Sequence, residues 1–470
     1  MKKRDLVVIG GGAGGLVVAS VASQLGLDVV LIEKEKQLGG DCLHFGCVPS
    51  KALLKAGKVA HTIRNAGLYG LDVNEPAVDI KAVNAAVQKA VTTIQRHDSH
   101  ERFESMGCEI LTGAAFFLDA DTVQIGERKI KAKRFVIATG SSSFVPDIKG
   151  LNKIDYITNE NIFQLDKLPG HLIVLGAGPV GVEMAQAFVR LGSRVTLIEA
   201  APRILSTLDV DVSESLMQKL VEEGVQFIVN QAAVSVEANH VGIKNVILRD
   251  GTVISGDVLL VAVGRRPVVD GLGLENAGVK YSSGGVEVNT KMQTSRRHIY
   301  ACGDVTGLMP LTHVAELQAG IILANLIFRF PKRISYRVIP SVVYTDPECA
   351  QVGVSEADVK DDTGIEVVRF NMSELDRAIA ENTTTGFAKL IVKKGRLIGA
   401  HIIGPHAGDV IHELALAIQS KMKLSKITGM VHAYPSYAQI NRRAAGQYYI
   451  SRLFNKKTRK LVRFLNRWLP

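Results

Sequence analysis

The chain has 470 residues, 47% of them hydrophobic, with 44 glycines, five cysteines and a formal net charge of +10. That length suggests about three domains. The glycines fit an α/β fold with tight turns, and so few cysteines exclude a secreted disulfide scaffold and fit a reducing, cytoplasmic compartment. The charge is uneven: from Arg452 onward there are seven cations and no acid, so the basicity belongs to a tail and nucleic-acid binding by the body is not indicated. No stretch reaches the ~20 apolar residues of a membrane span, and Leu6–Ile9 is too short, with no cleavage site after it, for a signal peptide.

The chain opens as strand, glycine turn, helix and strand. Leu6–Ile9 reads as the strand, Leu16–Leu25 as the helix stopped by Gly26, and Asp28–Ile32 as the next strand, ending at Glu33. Gly10, Gly12 and Gly15 spell G-x-G-x-x-G. The first permits the turn, the second lets backbone N–H groups approach a pyrophosphate, and the third lets helix and strand pack closely. The helix N-terminus offers positive potential to the phosphates, and Glu33 is placed to accept from a ribose. The pattern recurs with strand His171–Leu175, glycines Gly176, Gly178 and Gly181, helix Val182–Leu191, strand Arg194–Ile198 and terminal acid Glu199. Two such units imply two dinucleotides. Glu199 would accept from a 2′-hydroxyl and repel a 2′-phosphate, which favours NADH; Arg203 is the nearby feature that would admit NADPH.

Phe135–Gly140 and Val258–Gly264 read as strands returning to each nucleotide sheet, and Ile299–Asp304 as another strand ending in an acid. From about Ser341 the sequence turns strand-rich, over Ser341–Tyr344, Glu366–Phe370, Phe387–Val392 and Leu397–Ile403, before a helix over Asp409–Ser420. This reads as a separate α+β domain. Between the first glycine turn and Pro49-Ser50-Lys51 stand Cys42 and Cys47, a candidate two-electron relay. The alternative is a pair of reduced, buried and inert thiols.

Taken in order, these features resemble the class I flavin-dependent pyridine nucleotide–disulfide reductases, the family of dihydrolipoamide dehydrogenase, glutathione reductase and mercuric reductase. The series runs over about residues 5–445. It comprises the first glycine turn, C-x-x-x-x-C with P-S-K, Ala138-Thr139-Gly140, the second glycine turn, Gly264-Arg265-Arg266-Pro267, Cys302-Gly303-Asp304, Leu311-Thr312-His313 and Thr345-Asp346-Pro347-Glu348.

The resemblance implies an α/β fold with two Rossmann-like dinucleotide-binding domains and a C-terminal α+β dimerisation domain. FAD would be bound by 1–150 with the central part 271–338, NAD by 151–270, a homodimer built by 339–450, and 451–470 left as a basic amphipathic tail. FAD contacts would come from Gly10, Gly12, Gly15, Glu33, Lys34, Gly40, Lys51, Ala138, Thr139, Gly140, Asp304 on the ribityl chain, Leu311, Thr312 and His313. NADH contacts would come from Gly176, Gly178, Gly181, Glu199 and Gly264. Lys51 would sit by the flavin and pair with Glu183, since a buried lysine without a carboxylate loses its charge or costs several kcal/mol.

A Cys42–Cys47 disulfide needs Cα atoms about 4.4–6.8 Å apart, whereas five residues of helix rise about 7.5 Å. The bond would distort the helix start, with Gly46 easing the bend, and would be strained and readily reduced. The resemblance implies that electrons from NADH pass through the flavin to Cys47, and that Cys42 leaves as an outward-facing thiolate. The helix dipole and Lys51 would lower the thiol pKa.

The last domain departs from the dithiol-reducing members, which carry H-x-H-P-T-x-x-E. Here the stretch is His432-Ala433-Tyr434-Pro435-Ser436-Tyr437-Ala438-Gln439, so Tyr434 and Gln439 replace the acid–base pair. A phenol titrates near 10 and is a poor proton shuttle at neutrality; His432 would serve only if the loop were rebuilt. The loss argues against dihydrolipoamide or glutathione and for a metal ion, as in mercuric reductase, or a small acceptor such as a quinone. The C-terminal cysteine pair of mercuric reductase is absent, as no cysteine follows Cys349. A low-molecular-weight disulfide reductase and a membrane-surface redox sensor are the alternatives. No resident metal site is legible. His44 reads as a solvated loop residue, or as a soft-metal ligand suited to Cu or Hg. Cys108, Cys302 and Cys349 read as packing. The tail, with the sole tryptophan, Trp468, has the spacing of an amphipathic helix suited to an acidic membrane surface, so that the protein would associate with it peripherally. The alternative is a helix packed on the protein's own dimer.

Overall fold

The computed structural model describes residues 3–240 and 242–468. The chain forms two units, one of Met1–Ala200 with Gln231–Ser335, the other of Ala201–Asn230 with Tyr336–Pro470.

In the first unit, β1 (Leu6–Ile9) leads through α1 (Ala13–Gln24) to β2 (Val29–Glu33). Next come α2 (Gly40–His44), α3 (Cys47–Arg64), β3 (Cys108–Thr112) and β4 (Phe135–Ile137). The second glycine turn joins β5 (His171–Leu175) to α4 (Pro179–Leu191) and β6 (Arg194–Ile198). β7 (Val258–Val261), β8 (Ile299–Ala301) and α5 (Thr312–Leu326) follow. Five strands pair in parallel in the order β8–β4–β1–β2–β3, with Leu6 opposite Val29 and Val7 opposite Phe135. A parallel sheet is covered on both faces, and the alternation of β1 shows it: Leu6 and Val8 join one apolar cluster, Val7 and Ile9 the other. A second parallel set runs β6–β5–β7.

Both glycine-turn helices begin earlier than the sequence reading placed them, at Ala13 and Pro179. The third glycine of each motif is therefore helical. A Cβ on Gly15 would sit 1.9 Å from the Gly10 carbonyl, and one on Gly181 1.9 Å from that of Gly176. Pro179 suits the first turn because its missing N–H has no helical partner there. Two small antiparallel sheets escaped the sequence reading, one over Ala115–Asp119, Thr122–Ile125 and Arg128–Lys131, the other over Ala233–Ala238, Lys244–Leu248 and Val253–Gly256. Their strands are short, and a few inward residues such as Phe117, Val123 and Ile130 hold them to the core.

The second unit is a five-stranded antiparallel sheet of β9 (Ser341–Val343), β10 (Glu348–Gly353), β11 (Ile365–Asn371), β12 (Phe387–Lys393) and β13 (Arg396–Gly404), ordered β9–β10–β13–β12–β11. Helices α6 (Ala407–Gln419) and α7 (Gln439–Leu453) pack on its core. The helix Val210–Glu222 belongs to this unit. Its end is tied down by Lys389 Nζ, 2.8 Å from Asp209 and 2.6 Å from both Asp211 and Glu356. The chain ends in α8 (Lys456–Trp468).

Candidate active site

Cys42 lies on the short α2, and Cys47 is the first residue of α3, with Phe45 and Gly46 between the helices. The pair thus spans a break between two helices, not one distorted helix start. The break is tight at Gly46, where a Cβ would come 3.1 Å from the Asp41 carbonyl and 3.2 Å from Cys42 Cα. Both cysteines are free thiols in this structure. Thr312, at the start of α5, donates from Oγ1 to Cys42 Sγ at 3.2 Å and lies 3.5 Å from Cys47 Sγ.

The two sulfurs titrate in opposite directions. A hydrogen bond from Cys42, with Thr312 and the Lys51 charge, holds the Cys47 thiol down at about 6 against burial and Glu183. That same bond, with burial, pushes the Cys42 thiol up. The expected general lowering therefore applies to Cys47 alone, and at neutral pH the reduced pair is one thiolate and one thiol. Cys47 is exposed and Cys42 half-buried.

One turn beyond Cys47, Lys51 Nζ donates to Glu183 Oε2 at 2.9 Å. Glu183 comes from α4, and the helices approach closely at Gly57, where a Cβ would lie 3.1 Å from the Ala187 carbonyl. A close helix crossing thus brings a residue of the first glycine unit to one of the second.

The nucleotide cradles fit the groups the motifs imply. Gly10 has φ +106 and Gly176 φ +98, and a Cβ at either would strike the backbone of the neighbouring strand's end, Ala138 or Ala262. Gly12 and Gly178, the N-caps of α1 and α4, have no side-chain cap, and a Cβ on either meets nothing closer than 3.8 Å. Backbone is thus open where phosphates dock at a helix N-terminus. Glu33 accepts from Gly11 N, and Glu199 from Ala177 N, each at 2.6 Å, which aims both carboxylates at the turns. Arg203 donates to the Leu208 and Ser206 carbonyls, so its guanidinium is already engaged.

The remaining FAD-assigned residues scatter around that cradle. Gly40 faces Gly12, and its own Cβ would lie 2.7 Å from Gly12 Cα. Thr139 Oγ1 donates to the Val268 carbonyl, Gly140 has positive φ, as does the NADH-assigned Gly264, and Leu311 caps α5. Lys34 and His313 are exposed. Asp304 accepts from Ser141 Oγ at 2.6 Å. Sequence reasoning missed what ties these to the cysteine loop. Arg265 donates to Ser141 Oγ at 2.8 Å and pairs with Asp41 at 3.1 Å, and Asn159 donates to the Phe45 carbonyl at 3.1 Å. Arg265 stood inside the quoted motif and Asp41 beside Cys42; only their proximity was invisible.

In the second unit, Tyr434 is 70% exposed, while Gln439 and His432 are buried. His432 Nε2 lies 3.2 Å from Glu413, which also accepts from Asn441, so this buried imidazole is held inside the domain. His44, the last residue of α2, bonds the Leu38 carbonyl through Nε2 at 2.9 Å, so it is not the solvated loop residue expected. Burial pushes the Cys302 thiol up to about 12, and Cys108 and Cys349 upward too. Asp209, Asp211 and Glu356 converge as metal ligands would, but the Lys389 ammonium stands among them.

Residues 4–319 match the pyridine nucleotide-disulphide oxidoreductase model, and 339–445 match that family's dimerisation domain. The chain belongs to this family. It is 35% identical over 443 residues to mercuric reductase of Lysinibacillus sphaericus, covering 93% of this chain and 81% of that protein. It is 36% identical over 456 residues to dihydrolipoyl dehydrogenase of Geobacillus stearothermophilus, covering 94% and 95%. Among solved structures, the Cu(II) complex of the HOCl-induced flavoprotein disulfide reductase RclA from Escherichia coli superposes with a TM-score of 0.86 at 26% identity, covering 93% of this chain and 99% of that one. LpdA from Mycobacterium tuberculosis gives 0.87 and 26%, covering 94% and 99%. This member of the pyridine nucleotide-disulphide oxidoreductases is accordingly an oxidoreductase using FAD and NAD(P)H. Among the described residues, no helix is long and apolar enough to cross a membrane.

Proposed function

We propose that this enzyme takes electrons from NADH and delivers them, through Cys42 and Cys47, to a thiophilic metal ion such as Cu(II) or Hg(II). The observation that carries the reading is the split dithiol beside Thr312, together with a C-terminal segment in which an exposed phenol and a buried amide stand in place of an acid–base pair. When bound, FAD supplies the two-electron link between nicotinamide and disulfide. Gly10, Gly12, Gly15, Gly40 and Glu33 would hold its nucleotide end, and Asp304, positioned by Ser141, its ribityl chain. Residues 1–150 and 271–338 would form that domain and 151–270 the NADH domain, with Glu199 on the ribose.

Each half-reaction balances. NADH reduces the disulfide to one thiol and one thiolate and leaves as NAD+, with no further proton taken up. Re-forming the disulfide then releases two electrons and the one proton held on Cys42. One Hg(II) takes both electrons, or two Cu(II) ions take one each. Lys51 and Thr312 keep Cys47 as thiolate while Cys42 retains its proton, so Cys42 loses that proton as it binds the metal. A ring against Cys47 would cover that sulfur and leave Cys42 as the reachable one. Thiolates suit both metals, and a metal acceptor does not need the proton shuttle a disulfide substrate needs. The likeness to mercuric reductase and to a reductase seen with Cu(II) supports this choice. A homodimer would cover Val431 and Tyr434, exposed at 88% and 70% in the dimerisation domain.

The quinone reading has no comparable observation behind it, and a sensing module would show no sustained NADH turnover. NADH consumption with Hg(II), Cu(II), a quinone and lipoamide, in wild type and Cys42→Ser, tests the proposal. Turnover with a metal that disappears in Cys42→Ser is expected; lipoamide turnover as fast as metal turnover would overturn it.

A further inference from the structure

No residue of α8 is buried. Leu461, Val462, Phe464, Leu465 and Trp468 are between 40% and 69% exposed. At about 100° per residue they fall along one side of the helix, and Phe464 and Trp468 associate with ring centroids 6.3 Å apart. Lys456, Arg459, Lys460, Arg463 and Arg467 fall along the other side. Lys457 lies within the apolar arc, where a long side chain reaches outward from its stem. None of these six cations pairs with a carboxylate among the described residues. Arg452, which does pair, belongs to α7 and binds Glu366 at 2.7 Å.

The combination selects one occupant. A second copy of α8 would set six uncompensated cations against six. A nucleic acid would neutralise the cations but leave five large apolar side chains in water. An anionic lipid surface meets both faces at once: phosphates take the cations while the apolar side enters the boundary of the acyl chains. Trp468 has the amphipathic ring that settles at that depth. Thirteen residues reach only about 20 Å, short of a ~30 Å bilayer core, so the helix lies in the surface plane. We propose that α8 docks this oxidoreductase peripherally on anionic membranes.

Trp468 is the only tryptophan, so its emission reports α8 alone. The holoprotein should co-sediment with phosphatidylglycerol-containing vesicles at least about tenfold more than with pure phosphatidylcholine vesicles, with a blue shift of Trp468 emission. Leu461→Ser/Leu465→Ser and Arg459→Glu/Arg463→Glu should each abolish both signals. All of these side chains are exposed, and NADH turnover in solution should not change. Equal sedimentation with neutral vesicles, none with either, or wild-type sedimentation of the Leu461→Ser/Leu465→Ser protein would overturn the proposal. So would loss of self-association in that variant without lipid, or tighter binding of the wild type to duplex DNA than to vesicles.

Discussion

Lys51 Nζ lies 2.9 Å from Glu183 Oε2, joining a lysine one-third exposed to a carboxylate whose side chain is 5% exposed. The pair crosses from α3 to α4 and sets the charge felt by Cys47, whose thiol Lys51 lowers and Glu183 raises. Lys51→Met should move the pH of half-maximal iodoacetamide reactivity of reduced Cys47 upward from about 6, since the thiolate loses a cation. It should also cost about 2 kcal/mol in urea unfolding. That is less than the 3–5 kcal/mol of a fully buried pair, because water already reaches the ammonium.

Thr312 Oγ1 reaches both sulfurs, 3.2 Å from Cys42 and 3.5 Å from Cys47, so its one proton is available to whichever is the thiolate, and each thiol is lowered by it. Thr312→Val keeps the shape and removes the donor. The Cys47 profile should again move to higher pH, this time with unfolding nearly unchanged, which separates a thiolate-positioning role from a packing one. An unchanged reactivity profile would show that the hydroxyl does not act on the thiolate.

If the missing acid–base pair decides the acceptor, restoring it should change the acceptor. Tyr434→His with Gln439→Glu should raise dihydrolipoamide oxidation by about a hundredfold, the lower end of what general acid–base catalysis contributes, while metal reduction stays within a few-fold. Steady-state assays of both reactions on the double variant decide it.

The two nucleotide turns should fail separately. Gly181→Ala places a Cβ 1.9 Å from the Gly176 carbonyl and should raise the KM for NADH more than about tenfold, with FAD content unchanged. Gly178→Ala meets nothing within 4 Å in the protein, so its folding should match wild type and only nucleotide affinity should fall. Absorbance for bound flavin and NADH titration measure the two effects.

Lys389, 3% exposed, serves three carboxylates, of which Asp209 is 5% exposed. Lys389→Met should destabilise the protein by about 3–5 kcal/mol, the cost of leaving a buried charge unpaired. Flavin reduction by NADH should be unaffected. A denaturation midpoint equal to wild type would show that the cluster is not an anchor.

Much of this was legible in one dimension. The glycine turns declare themselves because a nucleotide cradle needs residues without Cβ at fixed spacing, and the strand–turn–helix grammar around them is local. The helix starts were read late because Gly15 and Gly181 look like turn residues, while the structure uses them inside a helix for close packing. The small antiparallel sheets were missed because short strands with one or two inward side chains carry little periodic signal.

The sequence by itself determined the family, the two nucleotide turns, the cysteine spacing and the replacement of the C-terminal acid–base pair by Tyr434 and Gln439. All are matters of residue identity at short range. Only the tertiary structure decided which thiol keeps its proton, that Thr312 from α5 touches both sulfurs, that Arg265 reaches Asp41, and that His432 is bound to Glu413. Those properties depend on distances between side chains far apart along the chain. A thiol pKa or an ion pair is set by the charges and donors within a few ångströms, and no local pattern records which distant residues those are.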